Sequence, residues 1–144
     1  MTDVQAMVAE FHAKFGAPNN LGKGKPNAMH ERTELRKDLI EEEFDEFLDS
    51  HQTTYFGSSR LGYYHELVGV DTVAYADALA DLVYVCFGAA IEAGIDLNMV
   101  LREVHRSNMS KLDADGKPIY REDGKVLKGP NYSAPNIKEV LGLD

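Results

Sequence analysis

The sequence predicts an all-α protein, a four-helix-type bundle with a short C-terminal hairpin and loop tail. Apolar residues recur at helical spacing in four stretches, and Gly, Pro and Asn separate these stretches. After the fourth stretch, two β-prone runs flank an Asp-Gly turn. The 144 residues, 44% of them apolar, suffice for one domain with a hydrophobic core. We therefore predict a single domain over residues 1–144, with a helical core over about 3–108 and a tail over 109–144.

The first helix is predicted over residues 3–15, where apolar residues share one helical face: Val4, Met7, Val8, Phe11 and Phe15. Gly16 and Pro18 end this helix, and residues 16–28 are predicted to form a loop rich in Gly, Pro and Asn. The second helix is predicted from about Glu31 to Asp49.

The third helix is predicted from about Thr72 to Ala93, with Gly94 ending it. Its apolar stretch of 19 residues approaches the length of a membrane span. Asp77 and Asp81 interrupt that stretch, and no basic flank accompanies it. The pattern therefore predicts a buried helix of a soluble protein.

A fourth helix is predicted after Asp96, a good N-cap, and should fade near Asn108. Residues 50–70 have the glycines and serines of a loop, with a short helical turn expected around Tyr64 to Val68. In the tail, "KPIYREDGKVLK" predicts a hairpin, and "APNIKEVLG" predicts one or two helical turns.

Composition narrows the function. A net charge of −9 disfavours a nucleic-acid polymer as partner, because phosphate neutralisation needs Lys and Arg on one face. A small phosphorylated ligand remains compatible if cations bridge it to the protein. The lone Cys86 allows no disulfide framework, and the N-terminus lacks the basic and apolar segments of a signal peptide. We expect a cytoplasmic protein that does not bind membranes.

The second helix carries an unusual density of negative charge. Seven carboxylates and no basic residue lie between Asp38 and Asp49. Their eight like-charged pairs at helical spacing would cost about 2–4 kcal/mol at low salt. Four of them cluster on a face typical of solvent: Asp38, Glu41, Asp45 and Asp49. The other three follow the face of Leu35 and Leu39, which should meet another helix: Glu42, Glu43 and Glu46.

The third helix would bring two more carboxylates to that face. Asp77 and Asp81 are four residues apart and share one side of an otherwise apolar helix. If the two acidic faces meet, five carboxylates converge, and divalent cations would relieve their repulsion. Oxygen ligands favour Mg²⁺ first, Mn²⁺ as a substitute, and Ca²⁺ less. Protonated or arginine-paired carboxylates are the alternative.

Three segments together resemble the all-α nucleoside triphosphate pyrophosphohydrolases: "LIEEEFDEF", "DALADLVYVCFGAAIEAGIDL" and "EVHRSNMSK". This group includes MazG-like enzymes, dimeric all-α dUTPases and phosphoribosyl-ATP pyrophosphohydrolase. The family pattern is Glu-Glu-x-x-Glu on one helix and Glu-x-x-Asp on the next. Ala78 stands where the second motif has its Glu, and Asp77 is the expected substitute.

The resemblance implies Mg²⁺-assisted attack of water on a nucleoside triphosphate such as dUTP or a non-canonical nucleotide, releasing a monophosphate and pyrophosphate. Glu43 or Glu46 would be the general base. Five residues would bind the substrate: Arg106, Asn108, Lys111, Lys125 and Lys128. The resemblance also implies a homodimer, with a tetramer as an alternative. The rival hypotheses are phosphoribosyl-ATP hydrolysis and a non-catalytic, metal-stabilised interaction module.

Overall fold

The computed structural model describes residues 3–59 and 62–144, apart from the side chains of residues 52–67. Five helices and one hairpin follow in chain order: α1 Val4–Phe15, α2 Thr33–Asp49, β1 His51–Ser59, β2 Gly62–Val70, α3 Thr72–Glu92, α4 Leu97–Met109 and α5 Ile137–Val140. The all-α prediction is confirmed, since α1 to α4 form the predicted helices with bounds that shift by two residues at most.

Local capping explains where the helices begin and end. The Asp3 side chain accepts a hydrogen bond from the Ala6 N–H at the start of α1, and Gly16 ends the helix with a φ of +74°. Asp71 and Asp96 cap α3 and α4 in the same way, each through a side-chain oxygen. These are the residue types that the sequence offers at the predicted boundaries.

The α2 and α3 helices pack against each other in antiparallel orientation. At one end Arg32, the N-cap residue of α2, pairs with Glu92 of α3, and at the other the rings of Phe47 and Tyr75 lie 5.2 Å apart. Their facing seam therefore runs from the start of α2 to its last turn. The α1 helix packs on α3 beside them.

The connection between α2 and α3 is a β-hairpin, which the sequence analysis did not predict. β1 and β2 pair antiparallel, from His51 opposite Val70 to Ser59 opposite Gly62, with two register shifts. The helical turn expected around Tyr64 to Val68 is wrong, because these residues belong to β2. Glycine and serine suggested a loop there, yet β-branched and aromatic residues on both sides supply strand propensity.

The hydrophobic core gathers around the C-terminal half of α3. Phe87 and Ile91 pack with Val8 of α1, and all three are buried. The N-terminal half differs, since Val73 and Leu79 are 81% and 39% exposed. The prediction of a buried helix is therefore confirmed for the second half of α3. It is wrong for the first half, which is exposed in the single chain.

By length and composition, α3 is the one helix among the described residues that could cross a bilayer, with a mean hydropathy of 1.5. Asp77 and Asp81 lie on this helix, and it packs against α1, α2 and α4. These features fit the core helix of a soluble protein.

The tail after α4 folds back over the end of that helix. Its predicted hairpin is minimal, with one bridge between Tyr120 and Val126 and a hydrogen bond from the Leu127 N–H to the Ile119 carbonyl. Gly129 passes so close to the end of α4 that a Cβ there would collide with the Leu112 carbonyl oxygen. The predicted helical turn near the end is α5.

Candidate metal and substrate site

Three of the five predicted metal ligands converge at the seam between α2 and α3. One carboxylate oxygen from each of Glu43, Glu46 and Asp81 lies within 4.8 Å of the others. Glu43 and Glu46 are three residues apart on α2 and so share one face, and Asp81 reaches them from α3. The predicted meeting of the two acidic faces is therefore present in the structure.

The other two predicted ligands, Glu42 and Asp77, lie at the edge of this group. Both are exposed, and neither belongs to the set of oxygens within 4.8 Å. Ala78, which stands where the resemblance predicts a glutamate, is buried, with 3% exposure. Asp77 is exposed, so it lies on the solvent side of position 78, where the predicted motif has its glutamate.

The charges of the other four predicted ligands affect the Glu43 carboxyl. Its half-buried position raises the pKa of the Glu43 carboxyl, and the negative charges of four neighbours raise it further: Glu46, Asp81, Glu42 and Asp77. Among the ion pairs of the described residues, none includes any of these five carboxylates. The arginine-paired alternative therefore finds no support here.

The carboxylate group fits a divalent cation by its chemistry. All of its donors are oxygens, which hard ions prefer, and their mutual repulsion is uncompensated by protein cations in the described part of the chain. Three oxygens within 4.8 Å can contact one ion together.

An apolar cavity of about 240 Å³ lies one helical turn from the carboxylates. Leu39 is four residues before Glu43, and Val85 is four residues after Asp81, so both continue the same helix faces. Phe11 of α1 and Tyr84 close the cavity with rings 5.8 Å apart in an edge-to-face arrangement. The acidic motifs of α2 and α3 gave no signal for this cavity, because α1 reaches it only through folding.

A family model for phosphoribosyl-ATP pyrophosphohydrolase matches residues 8–108. The chain belongs to this family. It is therefore a pyrophosphohydrolase, a hydrolase acting on phosphoanhydride bonds. The matched range contains the carboxylate group and the cavity, and it ends before the tail.

Other comparisons add less about this pyrophosphohydrolase. A crystal structure of a candidate NTP pyrophosphohydrolase from Exiguobacterium sp. 255-15 is 22% identical, with a TM-score of 0.43, and the match covers 95% of this chain and 91% of that one. No curated protein matches the sequence.

The cations predicted to bind substrate lie at the end of α4 and in the tail of the pyrophosphohydrolase. Lys111 Nζ donates to Asn108 Oδ1 at 2.8 Å, and Lys128 Nζ lies 4.4 Å above the Tyr132 ring. Lys125 is exposed in the tail hairpin, where its backbone N–H donates to Asp123. None of the contacts made by the described residues joins these cations to the carboxylate group.

Arg106, the remaining predicted cation, holds the tail. Its guanidinium donates to both carboxylate oxygens of Glu103 and to the Ala134 carbonyl. The Arg106 guanidinium and the Asn136 N–H lower the pKa of Glu103 to about 2. Arg106 therefore has partners that compete with a substrate phosphate.

Sequence reasoning missed a buried charge cluster at the other end of the α2–α3 seam. The Glu92 carboxylate is buried and accepts hydrogen bonds from Arg36 Nη2 at 2.5 Å and from Arg32 Nε at 3.0 and 3.1 Å. Arg36 Nη2 also lies 3.2 Å from Nε2 of the buried His12. The only available signal was a charged residue at the end of an apolar helix.

Proposed function

We propose that this pyrophosphohydrolase hydrolyses a nucleoside triphosphate to the monophosphate and pyrophosphate and depends on Mg²⁺. The observation that carries the proposal is the group of three carboxylate oxygens within 4.8 Å, formed by Glu43, Glu46 and Asp81. Bound Mg²⁺ would supply charge neutralisation at the phosphates and a more acidic water nucleophile, and Mn²⁺ would substitute.

The carboxylates divide the work between binding and proton transfer. Asp81 would hold the cation from α3, with Glu42 and Asp77 supporting its outer ligands. Glu43 or Glu46 would take the proton of the attacking water. Glu43 is half-buried among like charges, so it has a basic carboxylate whose proton affinity is above that of an exposed glutamate.

The apolar cavity would receive the nucleobase. Its position one turn from Glu43 and Asp81 suits a ligand whose phosphates lie at the carboxylates and whose base lies farther along the seam. The edges of Phe11 and Tyr84 offer aromatic contacts to a planar ring. Such contacts favour a base without specifying which one.

The phosphates need cations or amide donors besides the metal. Asn108 and Lys111 remain the best candidates, since their mutual hydrogen bond is exposed and can open to a phosphate. Lys125 and Lys128 would add charge from the tail. Arg106 is a weaker candidate because Glu103 and Ala134 already occupy its guanidinium.

Phosphoribosyl-ATP is the second candidate substrate, and the family match favours it. That molecule carries a further phosphoribosyl group, which would need additional cations near the base. Arg36 is the one cation that lines the described cavity, and Glu92 already pairs with it. The cavity therefore favours an ordinary nucleoside triphosphate.

We also propose that the protein works as a homodimer in the cytoplasm. The exposed apolar side chains on the first half of α3, including Val73 and Leu79, would lose contact with water in a second copy. A tetramer would bury more of the same surface. Light scattering after size exclusion measures the assembly, and a monomer at micromolar concentration would refute this proposal.

The test of the function is a hydrolysis screen with purified protein. It compares canonical and damaged nucleoside triphosphates with phosphoribosyl-ATP, with and without Mg²⁺, and measures pyrophosphate. Glu43→Gln should lower kcat/KM at least about 100-fold. Glu41→Gln is the matched control, because Glu41 lies on the solvent face of the same helix. Turnover of phosphoribosyl-ATP alone would select the second candidate, and no turnover at all would refute both.

A further inference from the structure

We infer that the buried pair of Arg36 and Glu92, packed on Gly88, is a positioning device that holds α2 and α3 in the register that the metal site needs. This inference rests on the proposed function. No hydrogen bond of the described residues joins the pair, or His12 beside it, to the three carboxylates of the metal site. Any effect of the Arg36–Glu92 pair on metal binding must therefore be transmitted through helices α2 and α3.

The spacing along both helices connects the pair to the metal site. Arg36 precedes Glu43 by seven residues, and Gly88 follows Asp81 by seven residues. Seven residues are nearly two whole turns, so each pair shares one helix face, about 10.5 Å apart along the axis. Because α2 and α3 are antiparallel, the contact of Arg36 with Gly88 and the contact of Glu43 with Asp81 lie on the same seam. The two contacts are separated by the same distance along each helix.

Gly88 sets how closely the helices approach. A Cβ at this position would lie 2.8 Å from Arg36 Nη1 and 3.3 Å from His12 Nε2. The backbone of α3 therefore lies close to the guanidinium group of Arg36. A larger residue would displace the Arg36 guanidinium, which is held in place by its hydrogen bond to Glu92.

The hydrogen-bond chain fixes Arg36 in this place. His12 Nδ1 lies 2.7 Å from the Pro18 carbonyl oxygen, which can only accept, so Nδ1 carries the proton. His12 Nε2 is then an acceptor for Arg36 Nη2, which also donates to Glu92. The chain joins α1, α2 and α3, and His12 and Glu92 are both buried.

The energetics of the buried Arg36–Glu92 pair favour a role in fixing the register of α2 and α3 over a role in stabilising the fold. Buried ion pairs often contribute little net stability, and fixing a helix register is their best-attested use. Arg36 Nε is buried without a hydrogen-bond partner among the described residues, which is a further cost. At the other contact, three carboxylates repel each other across the same seam. The Arg36–Glu92 pair on the same seam holds the two helices in register, so that these carboxylates stay within reach of one ion.

The test measures Mn²⁺ affinity by calorimetry on protein that circular dichroism shows to be folded. Gly88→Ala keeps every charge and has the higher helix propensity, so weaker binding cannot come from a weaker helix. Glu92→Gln removes the buried charge. We expect both variants to bind Mn²⁺ about tenfold more weakly, at the lower end of what lost outer-shell support costs. Glu10→Gln, in the exposed pair with Lys14, is the matched control and should bind normally.

The outcomes separate this inference from the proposed function. Folded Gly88→Ala protein with the Mn²⁺ affinity of the wild type would overturn the inference, whether or not Glu92→Gln folds. A wild-type protein that binds no divalent cation would overturn the proposed function and this inference with it. In the activity assay, excess Mn²⁺ should restore the kcat of Gly88→Ala, which a loss of folded protein would not allow.

Discussion

Oxygens of Glu43 and Asp81 lie within 4.8 Å of each other although they belong to different helices. Thirty-seven intervening positions, a whole β-hairpin among them, separate the two residues in the chain. Like charges at this distance repel, so the packing of α2 on α3 must overcome their repulsion in the absence of a cation. A bound cation should therefore stabilise the fold.

A metal ion bound by Glu43 and Asp81 should raise the melting temperature of the protein. Mg²⁺ at 100 times its dissociation constant would add about 2.7 kcal/mol to the free energy of unfolding, because it binds the folded state alone. Asp81→Asn should remove most of that gain while leaving the metal-free protein folded. Differential scanning calorimetry with and without Mg²⁺ measures both effects, and an equal gain in the variant would place the ion elsewhere.

The metal-free protein should become more stable as the pH falls from 7 towards 4.5. The pKa of Glu43 is raised in the folded state above its ordinary value of 4.5, so the folded protein binds this proton first. Glu92 and Glu103 act in the opposite direction. Burial alone would raise the pKa of Glu92, but hydrogen bonds from Arg36 and Arg32 outweigh burial and lower it, and Arg106 lowers the pKa of Glu103. Their stabilisation is present above 4.5 and is lost only below it.

The measurement for this pH effect is urea unfolding of metal-free protein at pH 7 and pH 5. Glu43→Gln should flatten the difference between the two, since it removes the titrating group. Saturating Mg²⁺ should do the same for the wild type. Stability that falls steadily from pH 7 to pH 5 in metal-free protein would contradict the prediction.

The cavity should control substrate affinity more than metal affinity. Val85→Phe would fill part of the space of about 240 Å³ where the base is proposed to bind. We expect a higher KM for the nucleotide with an unchanged Mn²⁺ affinity, because Val85 carries no ligand atom and is not part of the contact between Gly88 and Arg36. Steady-state kinetics and calorimetry provide the two numbers, and an unchanged KM would place the base outside this cavity.

Arg106 should anchor the tail rather than bind phosphate. Arg106→Gln removes the hydrogen bonds to Glu103 and to the Ala134 carbonyl, so the tail should be cleaved faster by a dilute protease. Lys111→Gln, by comparison, should raise the KM and leave the cleavage rate nearly unchanged. If Arg106→Gln raised the KM without loosening the tail, Arg106 would be a substrate ligand.

The core around Ile91 should give graded losses of stability. Ile91 of α3 is fully buried against α1. Ile91→Ala should therefore lower the free energy of unfolding by about 2–5 kcal/mol, and Ile91→Val should lower it by about 0.5–1.5 kcal/mol. Urea titration followed by circular dichroism measures both. Equal losses for the two variants would mean that the site collapses around the smaller side chain.

The helices were predictable because their signals are local. Periodicity and caps such as Asp96 placed α1 to α4 within two residues, and the acidic faces of α2 and α3 pointed to Glu43, Glu46 and Asp81. The hairpin of β1 and β2 was missed, since strand pairing depends on a partner segment that local propensity does not reveal. The buried Glu92 was missed for the same reason: its partners Arg32 and Arg36 lie at the start of another helix, Arg32 as its N-cap.

Residue order along the chain was enough to establish an acidic helical protein of the pyrophosphohydrolase kind, because periodic hydrophobicity and short motifs depend on near neighbours. Folding settled the rest: which carboxylates approach within reach of one cation, how Phe11 closes the cavity, and how Arg36 meets Glu92 across the seam. These contacts join residues far apart in the chain, and only the packing of one helix on another brings such residues together.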